Sequence, residues 1–376
     1  MAFKDITRVL YDGSIQLIYK DSVHRYYARE RINWDLPVEN PKAWGKVIKG
    51  VKGTTTLLKD TLEKGGLMNY ALTKALMDLF AFYEFTDDFG QKKIGYSEKG
   101  IGRLWDENGK LKSLDKDEAL DLISFGAKAS IRHTKKGADI GSVVHDAIEH
   151  FVLANPNKLE PVEDKEGNPT SDLQLPAITP SGFDIPEQYM WNIKEAEYEE
   201  ERLRDLALEE FEADTIKAKA AFERFANWWS KVRPELLGAE DLVYSKKYKV
   251  SGTFDALLKI DNKTVLCDWK TSNASLSISA NAPNGVYYDY FIQSAIYTLA
   301  WQEMGNGTID DIGIISCRKD GEFDVVFASD LGFTVDELVE YAKMVIGCHE
   351  HRIKLRSALW EHGIKTGRVT AKKGKK

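Results

Sequence analysis

Cysteine is scarce in this chain of 376 residues: Cys267, Cys317 and Cys348 are few, widely spaced and odd in number. They build no disulfide framework, and their spacing suits neither a zinc site nor an iron–sulfur cluster. No apolar run approaches the length of a membrane span, and "MAFKDITRVLYDG" lacks the apolar core of a secretory signal. The expectation is a soluble protein of a reducing cytoplasm, with no membrane partner. Positive charge is also short, with 52 Lys and Arg against 59 Asp and Glu. A net charge of −7 argues against coating nucleic acid by bulk electrostatics but allows a focused basic channel. The glycine- and lysine-rich "GKVIKGVKGTT" does not fit G-x4-G-K-[ST], so no ATP site is expected. There is no internal repeat.

What is present is enough apolar and aromatic material, 43% and 11%, for a sizeable core. "IQLIYKDSVHRYYARE" (15–30) alternates as two strands, and the threonines of "GTTTLLKD" can cap a helix whose periodicity runs to about residue 85. A helix is expected over about 117–133, and another after Gly137 with Ile140, Val144, Ile148 and Phe151 on one stripe. Residues 155–186 hold six of the ten prolines and read as an extended surface loop; 187–232 read as a charged helical stretch. Strands follow at 240–249, 252–260 and 263–271, then a helix at 288–304, strands at 311–317 and 322–328, and a helix at 334–360. The order predicts an α/β fold. An N-terminal part (1–136) precedes a core (137–360) that carries a 155–232 insertion, and a basic tail (361–376) closes the chain.

The stretch "SGTFDALLKIDNKTVLCDWKTSN" (251–273) concentrates charge on one hairpin. If Asp261 and Asn262 form its two-residue loop, Asp255 stands opposite Asp268, and Lys270 projects from the face of Asp268. Like charges directly opposed in a sheet are destabilising unless one is protonated, solvent screens both, or a cation lies between them. Two carboxylates beside a lysine suit a divalent cation that polarises a phosphate, and oxygen ligands favour Mg²⁺ or Mn²⁺. Alone, D-x12-D-x-K is a weak pattern, equally readable as a solvated strand pair with a salt bridge.

Further motifs surround it in order: Gly141…His145 on a helix, Gly252-Thr-Phe-Asp255, Asp268-Trp-Lys270-Thr271, and Gln293…Tyr297 on one helix face. With these, residues 137 to 300 resemble the RecB-like branch of the PD-(D/E)XK nuclease superfamily. "HRYYARE" followed by "GTTTLLKD" is similar to the N-terminal segment of its stand-alone phage and mitochondrial exonucleases. The resemblance implies a restriction-endonuclease-like core, a central mixed β-sheet flanked by helices, with a helical N-terminal part. It implies metal ligands His145, Asp255, Asp268 and the carbonyl of Trp269, with Asp255, Asp268 and Lys270 catalytic. Gln293 and Tyr297 would brace the site or hold a phosphate. Thr54, Thr55 and Thr56, at a helix N-terminus, are candidates for the DNA backbone. Glu240 matches an acidic position that would support the ligands from behind.

The branch members that hold an iron–sulfur cluster need four cysteines flanking the core, and none precedes Cys267 here, so no cluster is expected. The expected function is a Mg²⁺- or Mn²⁺-dependent DNA nuclease, an exonuclease of phage or bacterial replication or recombination. It would act on DNA alone or with a separate recombination or replication protein; if phage-encoded, it would work in the bacterial host cytoplasm. Three other readings stand beside it: a structure-specific or site-specific endonuclease on the same core, a catalytically silent DNA-binding module, and an RNA-directed enzyme, which no distinctive RNA-recognition element favours. Complete Asp255, Asp268 and Lys270 argue against the silent module.

Overall fold

The computed structural model describes residues 5–62, 82–86, 92–96, 113, 115–120, 144–145, 147–153, 161–163, 169–173, 216, 219–272, 288–318, 323–366 and 368. Two compact units divide the chain. The larger takes in Met1–Glu63, Val144–Ile178 and Lys219–Lys376, and the smaller Lys64–Val143 and Thr179–Ala218. No described helix is long and apolar enough to cross a membrane.

In the larger unit the first element is an antiparallel sheet, β1 (Ile6–Leu10), β2 (Ile15–Lys20), β3 (Arg25–Arg31) and β4 (Trp44–Val47), in that order. Two of its strands are the pair expected from the alternation at 15–30. Ile15 and Leu17 from β2 and Ala28 from β3 meet Leu242 and Tyr244 of the central sheet in one apolar cluster.

A short strand leads into the main sheet: β5 (Lys52–Gly53) runs parallel to Val250 and Ser251. Helix α1 (Thr54–Thr61) follows at once. Its N-cap is Gly53, without a side-chain cap, and the threonines form its first turn rather than its cap. The helix ends at Thr61 with Leu62 as its C-cap, and residues 63–81 of the expected helix lie outside the described residues. Phe82–Thr86 (β6) pairs with Lys92–Tyr96 (β7) in a hairpin of the smaller unit, because "FYEFT" is aromatic and β-prone. The proline-rich segment likewise holds a hairpin, β8 (Pro161–Glu163) with β9 (Pro169–Leu173). Both prolines open their strands, where a missing N–H is tolerated.

The main sheet has six strands: β10 (Glu235–Ser245), β11 (Val250–Ile260), β12 (Lys263–Ser272), β13 (Asp311–Arg318) and β14 (Phe323–Phe327) in spatial order, with β5 on β11. β10, β11 and β12 are antiparallel neighbours, β12 and β13 are parallel, and β14 returns antiparallel. The sheet is therefore mixed. A parallel pair needs a long crossover, and α4 (Tyr288–Glu303) lies in it. Helix α5 (Val335–Lys365) opens with a capping box between Thr334 and Glu337 and continues five residues beyond the expected 360, so Glu361–Lys365 are helical rather than tail.

α1, α4 and α5 cover one side of the sheet, burying Leu57, Ile292, Ile296, Leu338 and Ile346 with Ile312 and Ile314. Two further helices, α2 (147–153) and α3 (219–232), supply Phe151, Phe222, Phe225 and Trp229, all buried; residues 144–145 are also helical. Trp269 of β12 stands edge-on to Phe225 at 5.1 Å. Alternation along β12 thus sends Trp269 one way and Asp268 the other. Of the stripe expected on α2, Val144, Ile148 and Phe151 are buried, while Ile140 lies outside the described residues.

Candidate active site

The β11–β12 loop fixes the register on which the site depends. Asp261 and Asn262 have φ of 48° and 66°, the doubly left-handed loop of a type I′ hairpin. Ile260 pairs with Lys263, and the ladder continues to Ala256 opposite Cys267. Asp255 and Asp268 occupy the next position, where the regular ladder stops. There the Trp269 N–H, instead of completing the ladder, donates to Asp255 Oδ2 at 2.6 Å. A carboxylate has replaced a backbone acceptor, and the strands part around the two aspartates.

His145, in the helical residues 144–145, sits between two acids. Its Nε2 is 3.2 Å from Asp255 Oδ2 and its Nδ1 is 3.9 Å from Glu240 Oε1. Glu240 lies between Ala239 and Asp241, whose partners are Ala256 and Phe254, which places it across from Asp255. Its φ of 49° is left-handed, uncommon for a residue other than glycine and a local cost that persists at functional positions. Lys270 forms an ion pair with Asp268. The Lys270 ammonium also lies 5.0 Å from the centre of the Tyr290 ring on α4.

Glycine at 252 has a steric reason. A Cβ there would fall 2.1 Å from Cε1 of Tyr297, so the tyrosine ring covers the bare backbone of β11. Gln293, one turn earlier on α4, donates from Nε2 to the Tyr297 hydroxyl at 2.7 Å. Gly252 and the Gln293–Tyr297 pair are therefore one packed unit. The threonines divide. Thr54 is buried with its hydroxyl bound to the Ser251 carbonyl at 3.0 Å, so it ties α1 to β11 rather than facing solvent. Thr55 and Thr56 are exposed. Gly141 lies outside the described residues.

The electrostatics follow from crowding. Burial pulls the His145 imidazole down, but Asp255, by charge and hydrogen bond, and then Glu240 outweigh it and push the group up to about 9. Burial raises the Asp268 carboxyl to about 6 against the pull of Lys270, with Asp255 adding to the rise. Asp255 goes the other way: burial opposes it, but His145, Lys270 and the Trp269 N–H hold its carboxyl below the usual range. Lys270 is raised because its two aspartates outweigh its burial.

Among the described residues, one nitrogen of His145 and one oxygen each of Glu240 and Asp255 lie within 4.8 Å of one another. This donor set fits a divalent cation such as Mn²⁺ or Mg²⁺. A pocket that stabilises an imidazolium between two carboxylates offers the same field to a metal ion. Asp268 is drawn to Lys270 instead, and Glu240, expected behind the ligands, stands among the donors.

Sequence reasoning missed Tyr26. Its hydroxyl is 3.2 Å from Thr253 Oγ1, and its ring lies where a Cβ on Gly53 would touch it at 3.2 Å. Burial raises its phenol, and Glu240 adds to the rise. The only signal was its place in "HRYYARE".

A family model of the PD-(D/E)XK nuclease superfamily matches residues 122–358, more than half of the chain. The chain belongs to that superfamily, and the mixed, helix-flanked sheet is its restriction-endonuclease-like core. Comparison with curated proteins gives no match.

Proposed function

We propose that this protein is a Mg²⁺- or Mn²⁺-dependent deoxyribonuclease that degrades DNA from its ends, in the manner of the RecB-like branch, during phage or bacterial replication or recombination. The observation that carries the reading is the gathering of His145, Glu240, Asp255, Asp268 and Lys270 where the β11–β12 ladder opens. A bound divalent cation would supply the charge that polarises the scissile phosphate and acidifies a water molecule. His145, Asp255 and Glu240 would hold it, with Asp268 and the Trp269 carbonyl nearby; a residue in a strand directs its N–H and C=O to the same side.

The protein's own groups have distinct tasks. Asp255 is fixed by the Trp269 N–H, so its remaining oxygen is pre-aimed. Lys270, cationic and set against Asp268, faces the charge that develops as water adds to phosphorus. The 3′-oxygen leaves with its electron pair and takes up a proton, and the phosphate stays on the 5′ end of the product. Tyr297, held by Gln293 over Gly252, limits how closely the substrate backbone approaches β11.

The exonuclease reading draws on the N-terminal segment, whose Tyr26 reaches Thr253 in the G-x-x-D motif. End-labelled linear DNA and covalently closed circles, each with and without Mn²⁺, test it. Loss of linear DNA with intact circles is the expected result. Cleavage of the circles would replace it with an endonuclease, and no cleavage of either would remove the nuclease reading.

A further inference from the structure

The charge of this acidic chain is unevenly placed. Residues 350–376 hold nine Lys and Arg against two Glu, a net +7, so the preceding 349 residues carry −14. The first part of this segment is the outer half of α5. The inner half of α5 is committed to the core through Leu338, Val339, Ala342, Val345 and Ile346. Its last inward tie is at the far end of α1. His349 meets Lys52 Nζ at 2.6 Å and Thr61 Oγ1 at 3.0 Å, and Arg352 donates to the Asp60 carbonyl. Beyond Arg352 the helix is exposed on nearly every side to Lys365. That length is about 20 Å at 1.5 Å per residue.

Two features set this arm apart from an ordinary solvated helix end. Lys354, Arg356 and Lys365 are exposed and have no ion-pair partner among the described residues. Basic groups in a last turn complement the helix dipole, but that effect fades within one turn and does not account for Lys354 or Arg356. Among them stand Leu355 and Leu359, each 62% exposed, and Trp360, 51% exposed. Arg356 and Trp360 are one helical turn apart, on the same face. Arg356 thus presents a phosphate-binding fork beside an indole able to stack on a base or lie against a sugar. Arg368, also exposed, and the lysines at 372, 373, 375 and 376 prolong the basic sequence.

We propose that the outer half of α5, Lys354 to Lys365, is a second DNA-binding surface. It grips the phosphate backbone away from the scissile bond. Charge complementarity calls for a polyanion, and the inference rests on the nuclease reading for the identity of that polyanion as DNA. α1 links the two places: Thr54 at its start is bonded to Ser251 of β11, and its end touches His349 and Arg352. A long substrate meets both surfaces, while an oligonucleotide of a few nucleotides meets the catalytic cleft alone.

The test compares wild type with the triple variant Lys354→Gln, Arg356→Gln, Lys365→Gln. Affinity for a 40-nucleotide labelled DNA is measured in EDTA, where nothing is cleaved, over a range of salt. Three lost phosphate contacts lower the slope of log K against log salt by about 2 to 3, and affinity at 0.1 M salt falls on the order of a hundredfold. Cleavage of a six-nucleotide substrate with Mn²⁺, measured separately, is unchanged in the variant. If wild type cleaves nothing, the nuclease reading fails by itself, while the salt slope still decides the arm. An unchanged slope overturns the proposal. So does an unchanged slope with altered mass in Leu355→Lys, Leu359→Lys, which assigns the arm to a second copy of the chain. A fall in melting temperature without a change of slope assigns it to packing within the chain and likewise overturns the proposal.

Discussion

At Gly252 a single missing methyl group decides whether the site can assemble. Alanine there would place its Cβ inside the Tyr297 ring, so Gly252→Ala is expected to cost about 1–3 kcal/mol of stability and to displace the tyrosine. In a Tyr297→Ala background the same substitution should cost far less; a double-mutant cycle by urea unfolding reads the coupling. Additive losses would mean that the ring does not enforce the glycine.

His145 gives a second prediction at this scale. Its proton is held up to about 9, so a metal ion must displace that proton at neutral pH. Apparent Mn²⁺ affinity should fall by about tenfold per pH unit below 9, with release of close to one proton in paired-buffer calorimetry. The sign for stability is opposite. A raised histidine stabilises the metal-free fold fully below about 6.5 and loses that contribution as pH rises through about 9. The metal-free melting temperature should therefore decline across that window and recover on adding Mn²⁺. Affinity that does not change between pH 7 and 9 would return His145 to a purely structural role.

The hairpin is the element on which the other positions depend. Asp261 and Asn262 both take positive φ, the conformation that Asn-Gly and Asp-Gly satisfy best, so Asn262→Gly should change stability by no more than about 0.5 kcal/mol. Inserting one residue between them offers two outcomes. A larger loop absorbs it and activity survives, or the register slips by one and Cys267 and Trp269 take the face of Asp268 and Lys270. In the second case activity is lost with every catalytic side chain intact.

This register was legible because period-two alternation and a two-residue turn leave little freedom. Asp255 and Asp268 could be brought together by counting, as could the i, i+4 pair Gln293 and Tyr297. The opening of the ladder was not legible, since it depends on a side-chain oxygen taking the Trp269 N–H. Nor was the role of Glu240, whose left-handed backbone breaks the alternation that sequence reading relies on. "FYEFT" reads as the end of a helix by periodicity and folds as a strand because its partner, Lys92–Tyr96, lies beyond the window.

At the scale of the whole molecule, the N-terminal sheet, the mixed sheet and the helices on it bring His145, Glu240, Asp255, Asp268 and Lys270 together in an acidic pocket. Three carboxylates beside one lysine and one histidine make that pocket poor for phosphate until a cation enters it. The most direct test is cleavage of end-labelled linear DNA by wild type and by Asp268→Asn, with Mn²⁺ and with EDTA, each protein first shown to unfold cooperatively. The account predicts degradation by wild type with Mn²⁺ alone, and a loss of about a hundred- to a thousandfold in Asp268→Asn, the order reached when a transition-state electrostatic contact is removed. Undiminished cleavage by Asp268→Asn, or cleavage by wild type in EDTA, would contradict it.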